Sequence, residues 1–569
     1  MSVSQPRLIF LGPLLFLLGV FVARLPATVS RLTGFGVDFI EPISEVQRLL
    51  ESSYVNEPDV KSLQRGAIDG MLQALDDPYA EYIPPTERAD FEKDLLGRFS
   101  GIGAQVQIDA GLPTIVTPLE DSPAFRAGIL PGDKIVEIDG KPTTGESIDA
   151  VVARLTGEAG TKVSIVILRG EERLPFTLVR EQIVVRTVQG VSRRPDGTWD
   201  FMLDHDRRIG YIRLAQFIPS AAEELAGALK SIGAPEGSLN GLILDLRNNP
   251  GGDLDACLEI ADMFLRQGVI VSVRGRNGPD QSYASNPRGT LPDFPLVVLV
   301  NGFSASASEI VAGSLADHGR ATIVGTRTFG KGLVQTVRHL RSVPEAYVKF
   351  TVQRYELPSG RVIQRTDDST TWGVDPTPGF YIPMTDEEQI AALTKRRELD
   401  ILRNGTGASA TAEAAPAPRW TDPAWIESDV KDKQLAAALR AMELRLASGA
   451  WTPLTDRTQQ AAQVSADELR NLDLMHQRML RAIAEVEKRM TTLESTLAGS
   501  TPATTEVDLW ADELDLVNGA VEVFDKERRK VAELKITGPE LERWLLLADI
   551  EPVGTAEDAP DATPGEKTP

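Results

Sequence analysis

Two short stretches, Pro295-Leu-Val-Val-Leu-Val300 and Gly241-Leu-Ile-Leu-Asp-Leu-Arg247, are almost unbroken apolar runs rich in branched side chains. Runs so short and so uniformly apolar mark strands covered on both faces. Each breaks at once into turn-forming residues and then into a helical pattern. After Asn301 and Gly302, apolar residues recur at Ala307, Ile310, Val311 and Leu315 up to a left-handed cap position at Gly319. After Asn248-Asn-Pro-Gly-Gly-Asp253, a helix begins that carries Cys257, Ile260, Ala261 and Phe264 on one face. Further strands at 209–214 and 347–355 extend the alternation, so the core reads as an α/β sheet.

The turn and helix after Asn301 place Ser306 in a first helical turn. There the unpaired N–H groups and the positive end of the helix dipole favour negative charge, which the tetrahedral intermediate of acyl transfer develops. A nucleophilic serine needs a base, and the chain holds only four histidines, His205, His318, His339 and His476. His318 lies on the same helix, roughly 18 Å away at about 1.5 Å per residue, and is expected to meet the carbonyls at that helix's C-terminus. Lys331, between Gly330 and Gly332, is the better base: burial among Phe329, Leu333 and Val334 would depress its pKa, and Gln335 could hold its nitrogen in line. Taken alone, the serine-rich turn also reads as a helix cap and the Gly-Lys-Gly as a surface turn.

The wider pattern narrows the choice. Ser304-Ala-Ser-Ala-Ser-Glu-Ile310, Ala312-Gly-Ser314, Gly319-Arg-Ala321, Val324-Gly325 and Thr328-Phe-Gly-Lys-Gly-Leu-Val-Gln335 resemble the C-terminal processing peptidases, or tail-specific proteases. The resemblance implies a crotonase-like core in which Ser306 is the nucleophile, Lys331 the general base and Gln335 its orienting partner. It also implies that Gly252 and Ala307 donate their backbone N–H groups to the oxyanion.

Between about residues 99 and 180 a different pattern intervenes. Ser100-Gly-Ile-Gly-Ala104 precedes the alternating Gln105-Val-Gln-Ile108; Ser122-Pro-Ala-Phe-Arg-Ala-Gly128 reads as a one-turn helix with a serine cap, proline at the first position and a closing glycine. A strand and tight turn around 134–140, a helix from Ser147 and a strand over 161–169 complete it. This order resembles an inserted, β-rich PDZ domain of the rearranged type found in these proteases. Gly101, Ile102, Gly103 and Ala104 would then cradle a peptide's terminal carboxylate, with the peptide adding as a strand beside 105–108. An arginine late in that domain, identified with Arg169, is expected to couple substrate binding to the site.

The function implied is a serine endopeptidase that takes protein or peptide substrates by their free C-termini and cleaves through an acyl-enzyme. The alternatives are a catalytically idle PDZ scaffold or regulator of an envelope protease, and a crotonase-type acyl-CoA enzyme, which would have no use for a PDZ module. No cofactor or metal is implied, and His476 reads as a polar residue within an apolar seam. An excess of 82 acidic over 60 basic residues argues against a nucleic-acid partner. One cysteine excludes an intrachain disulfide, and Cys257 reads as core.

The expected organisation is a signal or membrane-anchor segment at 1–35, a helical region at 36–97 packing on the protease, the PDZ domain at 98–184, the protease core at 185–400, a linker at 401–424, a helical extension at 425–550 and a disordered tail at 551–569. Residues 8–23 form an apolar run between Arg7 and Arg24, read as an uncleaved anchor in preference to a cleaved signal peptide; either exports the chain, to a bacterial periplasm on the inner membrane. In the extension, Ser465 with Glu468 suggests a capping box opening a long helix with a coiled-coil stripe, and a second helical stretch over 506–547 could fold back on it. A hairpin burying its own stripe is favoured over an arm for self-association or for docking an activator or adaptor. The N-terminal helices are the other candidate surface for a homo-oligomer.

Overall fold

The computed structural model describes residues 37–194, 196–276, 279–366, 368–400, 418–456, 460–498, 520–524 and 530–535. The anchor segment, most of the linker and the acidic tail lie outside the described residues. None of the described helices is long and apolar enough to cross a membrane.

The two apolar runs form neighbouring parallel strands. Ile209–Leu214, Gly241–Asp245, Leu296–Val300 and Thr322–Gly325 lie side by side in that order, all parallel. Gly241–Asp245 and Leu296–Val300 are buried at every position because alternate side chains enter two different cores. Leu242, Leu244, Leu296, Val298 and Val300 face a layer with Leu225, Ile260, Phe264, Ile310 and Leu315. Ile243, Val297 and Leu299 face Leu435, Leu439 and Met442 from the helix Lys433–Ser448. Fully burying each such side chain contributes roughly 1.5–3 kcal/mol, which is why both faces must be covered.

A second, antiparallel sheet is built on the long strand Val343–Glu356, which pairs with Leu333–Leu340 along one side and with Glu81–Ile83 and Val269–Gly275 along the other. Glu81–Ile83 departs from the helical reading of 36–97. Pro78, Pro84 and Pro85 interrupt helical hydrogen bonding around it, and Tyr82 and Ile83 bury on the long strand. The flanking helices Val37–Ser53, Val60–Gln73 and Arg88–Leu96 form as expected.

The β-rich module has strands Ala104–Asp109, Leu112–Pro118, Lys134–Ile138, Lys162–Arg169 and Glu172–Val179 in that sheet order, so Ala104–Asp109 is an edge. Ser122 caps the short helix Pro123–Arg126 by accepting from the Phe125 N–H at 3.1 Å, and Ser147 caps Ile148–Leu155. Ile115, Ile135, Ile138, Val151, Val163, Ile165 and Ile167 fill its core. The antiparallel pair Arg98–Gly101 with Glu181–Val184 closes the neck through which the chain enters and leaves the module.

Two expectations for the C-terminal extension are corrected. The long helix runs Gln460–Ala498, so it begins before Ser465. Its anchor is Gln460, whose side chain accepts from the Gly379 N–H at 2.7 Å and donates to the Pro376 carbonyl at 2.9 Å. Within 506–547, Ala520–Phe524 and Lys530–Lys535 form an antiparallel strand pair instead of helix, following the alternation of Val521 and Val523 with Glu522. The rest of 506–547 lies outside the described residues, and Leu469, Met479, Ile483 and Val486 are more than half exposed.

One buried ionic cluster ties the helix Lys433–Ser448 to the sheet. Arg247 donates to Asp245 at 2.7 and 2.9 Å and to Asp432 at 2.7 and 2.8 Å, and Tyr211 Oη donates to Asp245 at 2.8 Å. Burial pushes the Asp245 carboxyl up, but the Arg247 charge and hydrogen bonds win and hold it below the usual value. Removing one partner of such a cluster leaves the others buried and uncompensated. Asp432→Ala is expected to destabilise by about 3–5 kcal/mol, measured by denaturant unfolding of the full chain.

Candidate active site

Ser306 stands at the N-cap of the helix Ala307–Asp317 with φ +56° and ψ −114°. A non-glycine residue reaches that region only when its surroundings force it, and such strain collects at functional sites. Three neighbours impose it. The Ser306 N–H donates to the Glu309 carboxylate at 2.8 Å, and the Tyr355 hydroxyl donates to the Ser306 carbonyl at 3.1 Å. Gly251, with φ +92°, presses so close that a Cβ there would lie 2.8 Å from Ser306 Cβ and 2.9 Å from the Ala307 nitrogen.

The glycine turn is itself held by side-chain amides. Asn249 accepts from the Gly251 N–H at 2.9 Å and donates to the Leu214 carbonyl at 2.8 Å, while its own carbonyl accepts from Ala305 N–H at 3.0 Å and from Ser308 Oγ at 2.9 Å. Asn248 and Asn301 exchange two bonds, of 2.9 and 3.0 Å, that clasp the two strand-to-helix turns together. Gly252 follows with φ +141°, and a Cβ there would sit 2.0 Å from the Phe217 carbonyl oxygen, so no side chain fits. The N–H groups of Gly252 and Ala307 have no partner among the described residues. Two free donors therefore flank the Ser306 turn.

Glu309 joins this turn to Lys331. One carboxylate oxygen accepts from Thr328 Oγ1 at 2.6 Å and the Gly330 N–H at 2.7 Å; the other accepts from Lys331 N–H at 2.8 Å as well as from Ser306. Burial pushes its pKa above the usual range, and the four donated bonds oppose that push. With donors on every side, the ionised form suits the cradle.

The Lys331 side chain donates to Gln335 Oε1 at 2.9 Å, Gln335 donates to the Tyr79 carbonyl at 2.9 Å, and Nζ lies 4.5 Å from the centre of the Tyr79 ring. Burial lowers the Lys331 pKa, Lys349 lowers it further, and Asp77 and Glu309 act the other way. No hydrogen bond joins Lys331 Nζ to Ser306 Oγ among the described residues; the lysine is turned toward Gln335 and Tyr79. Ser306, Lys331, Gln335, Gly252 and Ala307 thus share one site.

The other residues singled out in the sequence lie elsewhere. In the β-rich module, the carbonyls of Ile102 and Gly103 are taken inward by Ala124 N–H at 2.9 Å and Leu119 N–H at 2.8 Å. The N–H groups of Ile102 and Gly103 have no partner among the described residues, and Gly101 and Ala104 end the strands on either side. Arg169 makes two bonds to Asp133, at 2.8 and 2.7 Å, and one to the Gly128 carbonyl at 2.9 Å, all within the module and none to the serine or lysine. His318 bonds the Val269 carbonyl of a neighbouring strand at 2.7 Å, in place of the helix carbonyls expected, because Gly268 lets that strand run against the ring. Cys257 is fully buried, with Sγ 3.4 Å from the Ala307 carbonyl, and burial pushes its thiol up, away from reactivity.

Sequence reading passed over Glu309, Tyr79, Tyr355 and Thr328. For Glu309 a signal existed: Ser306 with glutamate three residues on is a capping box, and the reciprocal bond from Ser306 N–H to Glu309 is formed.

Comparison with known proteins gives a consistent picture. Residues 208–378 match peptidase family S41, residues 114–169 match the PDZ domain, and residues 30–86 match the N-terminal domain of the activating protease CtpB. A carboxy-terminal-processing protease of Bartonella bacilliformis is 39% identical over 342 residues, 59% of this chain and 73% of that protein. A carboxyl-terminal-processing protease of Synechocystis is 36% identical over 381 residues, 65% of this chain and 84% of the relative. Among solved structures, a photosystem II D1 C-terminal processing protease is 32% identical, with 59% of this chain and 86% of that one covered at a TM-score of 0.35.

Glu309→Gln replaces one acceptor oxygen by an N–H₂ that faces two donors. It is expected to destabilise by about 2–5 kcal/mol, read by denaturant unfolding, and to abolish peptide hydrolysis in whatever fraction stays folded.

Proposed function

Because the chain belongs to the carboxy-terminal-processing proteases of peptidase family S41, we propose that it cleaves exported proteins from their C-terminal ends by a serine-lysine mechanism. The carrying observation is the Glu309 carboxylate, which binds the backbone of Ser306 and of Lys331 at 2.8 Å each and so holds nucleophile and base in one rigid frame.

The PDZ domain receives the substrate's terminal carboxylate on the free N–H groups around Ile102 and Gly103, and the tail pairs with the open edge of Ala104–Asp109. Seating of the chain brings neutral Lys331 Nζ onto Ser306 Oγ. The lysine takes the hydroxyl proton as Oγ attacks the peptide carbonyl, and the Gly252 and Ala307 N–H groups bind the oxyanion. Collapse breaks the C–N bond, and the Lys331 ammonium returns the proton to the leaving amine. Water then attacks the acyl-enzyme as Lys331 again takes the proton; collapse breaks the C–Oγ bond, releases the new carboxyl end, and Lys331 returns the proton to Ser306 Oγ. Gln335 Oε1 holds one N–H of the amine and so directs its lone pair toward the serine. Residues 8–23 would keep the enzyme at the periplasmic face of an inner membrane.

The test is cleavage of an unstructured protein with an apolar free C-terminus by the full chain. Ser306→Ala is expected to lower kcat/KM by on the order of 10³-fold or more, and amidation of the substrate's C-terminus is expected to raise KM. Equal cleavage by wild type and Ser306→Ala would falsify the assignment of the nucleophile.

The pH dependence follows from the lysine. The base is active only when neutral, so the rate rises with pH through the Lys331 pKa, which lies below that of an ordinary lysine because of burial and the nearby Lys349 charge. Lys349→Met removes a like charge and favours the ammonium. The acid limb of the kcat/KM profile is therefore expected to move to higher pH, and a move to lower pH would contradict this electrostatic account.

A further inference from the structure

We propose that Tyr79 is a positioning residue of the dyad: its ring face receives the Lys331 ammonium, its carbonyl sets the Gln335 amide, and the resting lysine is thereby stored on the N-terminal segment. This rests on the reading of Lys331 as the base.

The carbonyl of Tyr79 can only accept, so it must take the N–H₂ end of Gln335, at 2.9 Å. That leaves Gln335 Oε1 to face Lys331, where it accepts from Nζ at 2.9 Å. The ring supplies the second contact, with Nζ 4.5 Å from its centroid, inside the range over which an aromatic face attracts a cation. A ring quadrupole stabilises the ammonium and does nothing for the neutral amine. Tyr79 therefore favours the form of Lys331 that cannot act as base, and favours it where Nζ bonds Gln335 and makes no bond to Ser306.

Tyr79 is fixed firmly enough for this role. Its N–H donates to Asp77 Oδ1 at 3.0 Å, and the other oxygen of Asp77 accepts from the Thr351 N–H at 3.2 Å. Two residues further on, Glu81–Ile83 pairs antiparallel with Lys349, Val348 and Tyr347. The charged groups around Lys331 are Asp77 on this same segment, Glu309 on the nucleophile helix and Lys349 on the long strand. Lys349 donates to Glu81 at 2.5 Å, which ties the one repelling charge to the segment as well. Lifting the segment would remove the ring, the carbonyl and Asp77 together, releasing Gln335 and lysine in one movement.

The test measures the ammonium directly, without turnover. In the full chain carrying Ser306→Ala, Lys331 is acetylated in competition over a pH series, and its titration midpoint is read by peptide mass spectrometry. Tyr79→Phe is expected to leave the midpoint in place, and Tyr79→Leu to lower it by about 0.4–1.5 pH units. If Tyr79→Leu does not fold, phenylalanines of rising fluorine content at position 79 weaken the ring quadrupole at nearly constant shape and are expected to lower the midpoint in order of fluorination. A midpoint unchanged by Tyr79→Leu, or unmoved across the fluorinated series, overturns the proposal. Because labelling needs no catalysis, this failure is distinct from failure of the dyad, which would show as hydrolysis surviving Lys331→Ala.

Discussion

A single buried carboxylate, that of Glu309, holds the site together. Its two oxygens accept four hydrogen bonds, from Ser306, Thr328, Gly330 and Lys331. The main-chain donors belong to turns that would otherwise leave N–H groups buried without partners, each costing about 1–3 kcal/mol. A carboxylate at the N-terminus of its own helix also lies where the helix dipole favours negative charge. The strain in the Ser306 backbone is thus maintained by a network that would lose several bonds if the serine relaxed. The same network sets how far the lysine turn can stray from the serine turn.

Around that centre each structural layer has a definable task. The parallel sheet delivers two turns, at Asn248 to Asp253 and at Asn301 to Ser306, from neighbouring strands, and the Asn248–Asn301 exchange locks them to one another. Backbone N–H groups can line the space beside Ser306 only because Gly251 and Gly252 carry no side chain. The antiparallel sheet brings Lys331 and Gln335 in from a second direction, and Tyr79 and Asp77 close the far side. With Lys331 as the base, as proposed, the site needs no histidine: burial and the nearby Lys349 charge lower the lysine's pKa, and the Gln335 amide holds its nitrogen.

Much of this was legible in the sequence because it rests on local patterns. Uniform apolar runs announced the doubly covered strands, the glycine pair announced a turn pressed against another element, and Ser122-Pro123 announced a capped one-turn helix. Ser306, Lys331 and Gln335 could be named through resemblance to a family, yet what holds them could not, since it spans the chain: Gln335 and Tyr79 are 256 residues apart. Glu309 was within reach as a capping-box residue, although its bonds to Thr328 and Lys331, 19 and 22 residues on, follow only from the fold. The start of the long helix was misplaced because Gln460 is anchored by tertiary bonds that outweigh the local Ser465 signal. Ala520–Phe524 and Lys530–Lys535 pair as strands where helix is expected, because a short alternation of valine and glutamate carries strand and helix signals at once.

In the proposed mechanism Ser306 forms a covalent acyl-enzyme and Lys331 activates it. The most direct measurement is mass-spectrometric mapping of the adduct left by an activated acyl ester that deacylates slowly, on the full chain and on Lys331→Ala. One acyl group is expected on Ser306 in the wild type, accumulating faster as pH rises, and almost none in Lys331→Ala. Acylation at another residue, or at Ser306 with equal speed in both proteins, would contradict it.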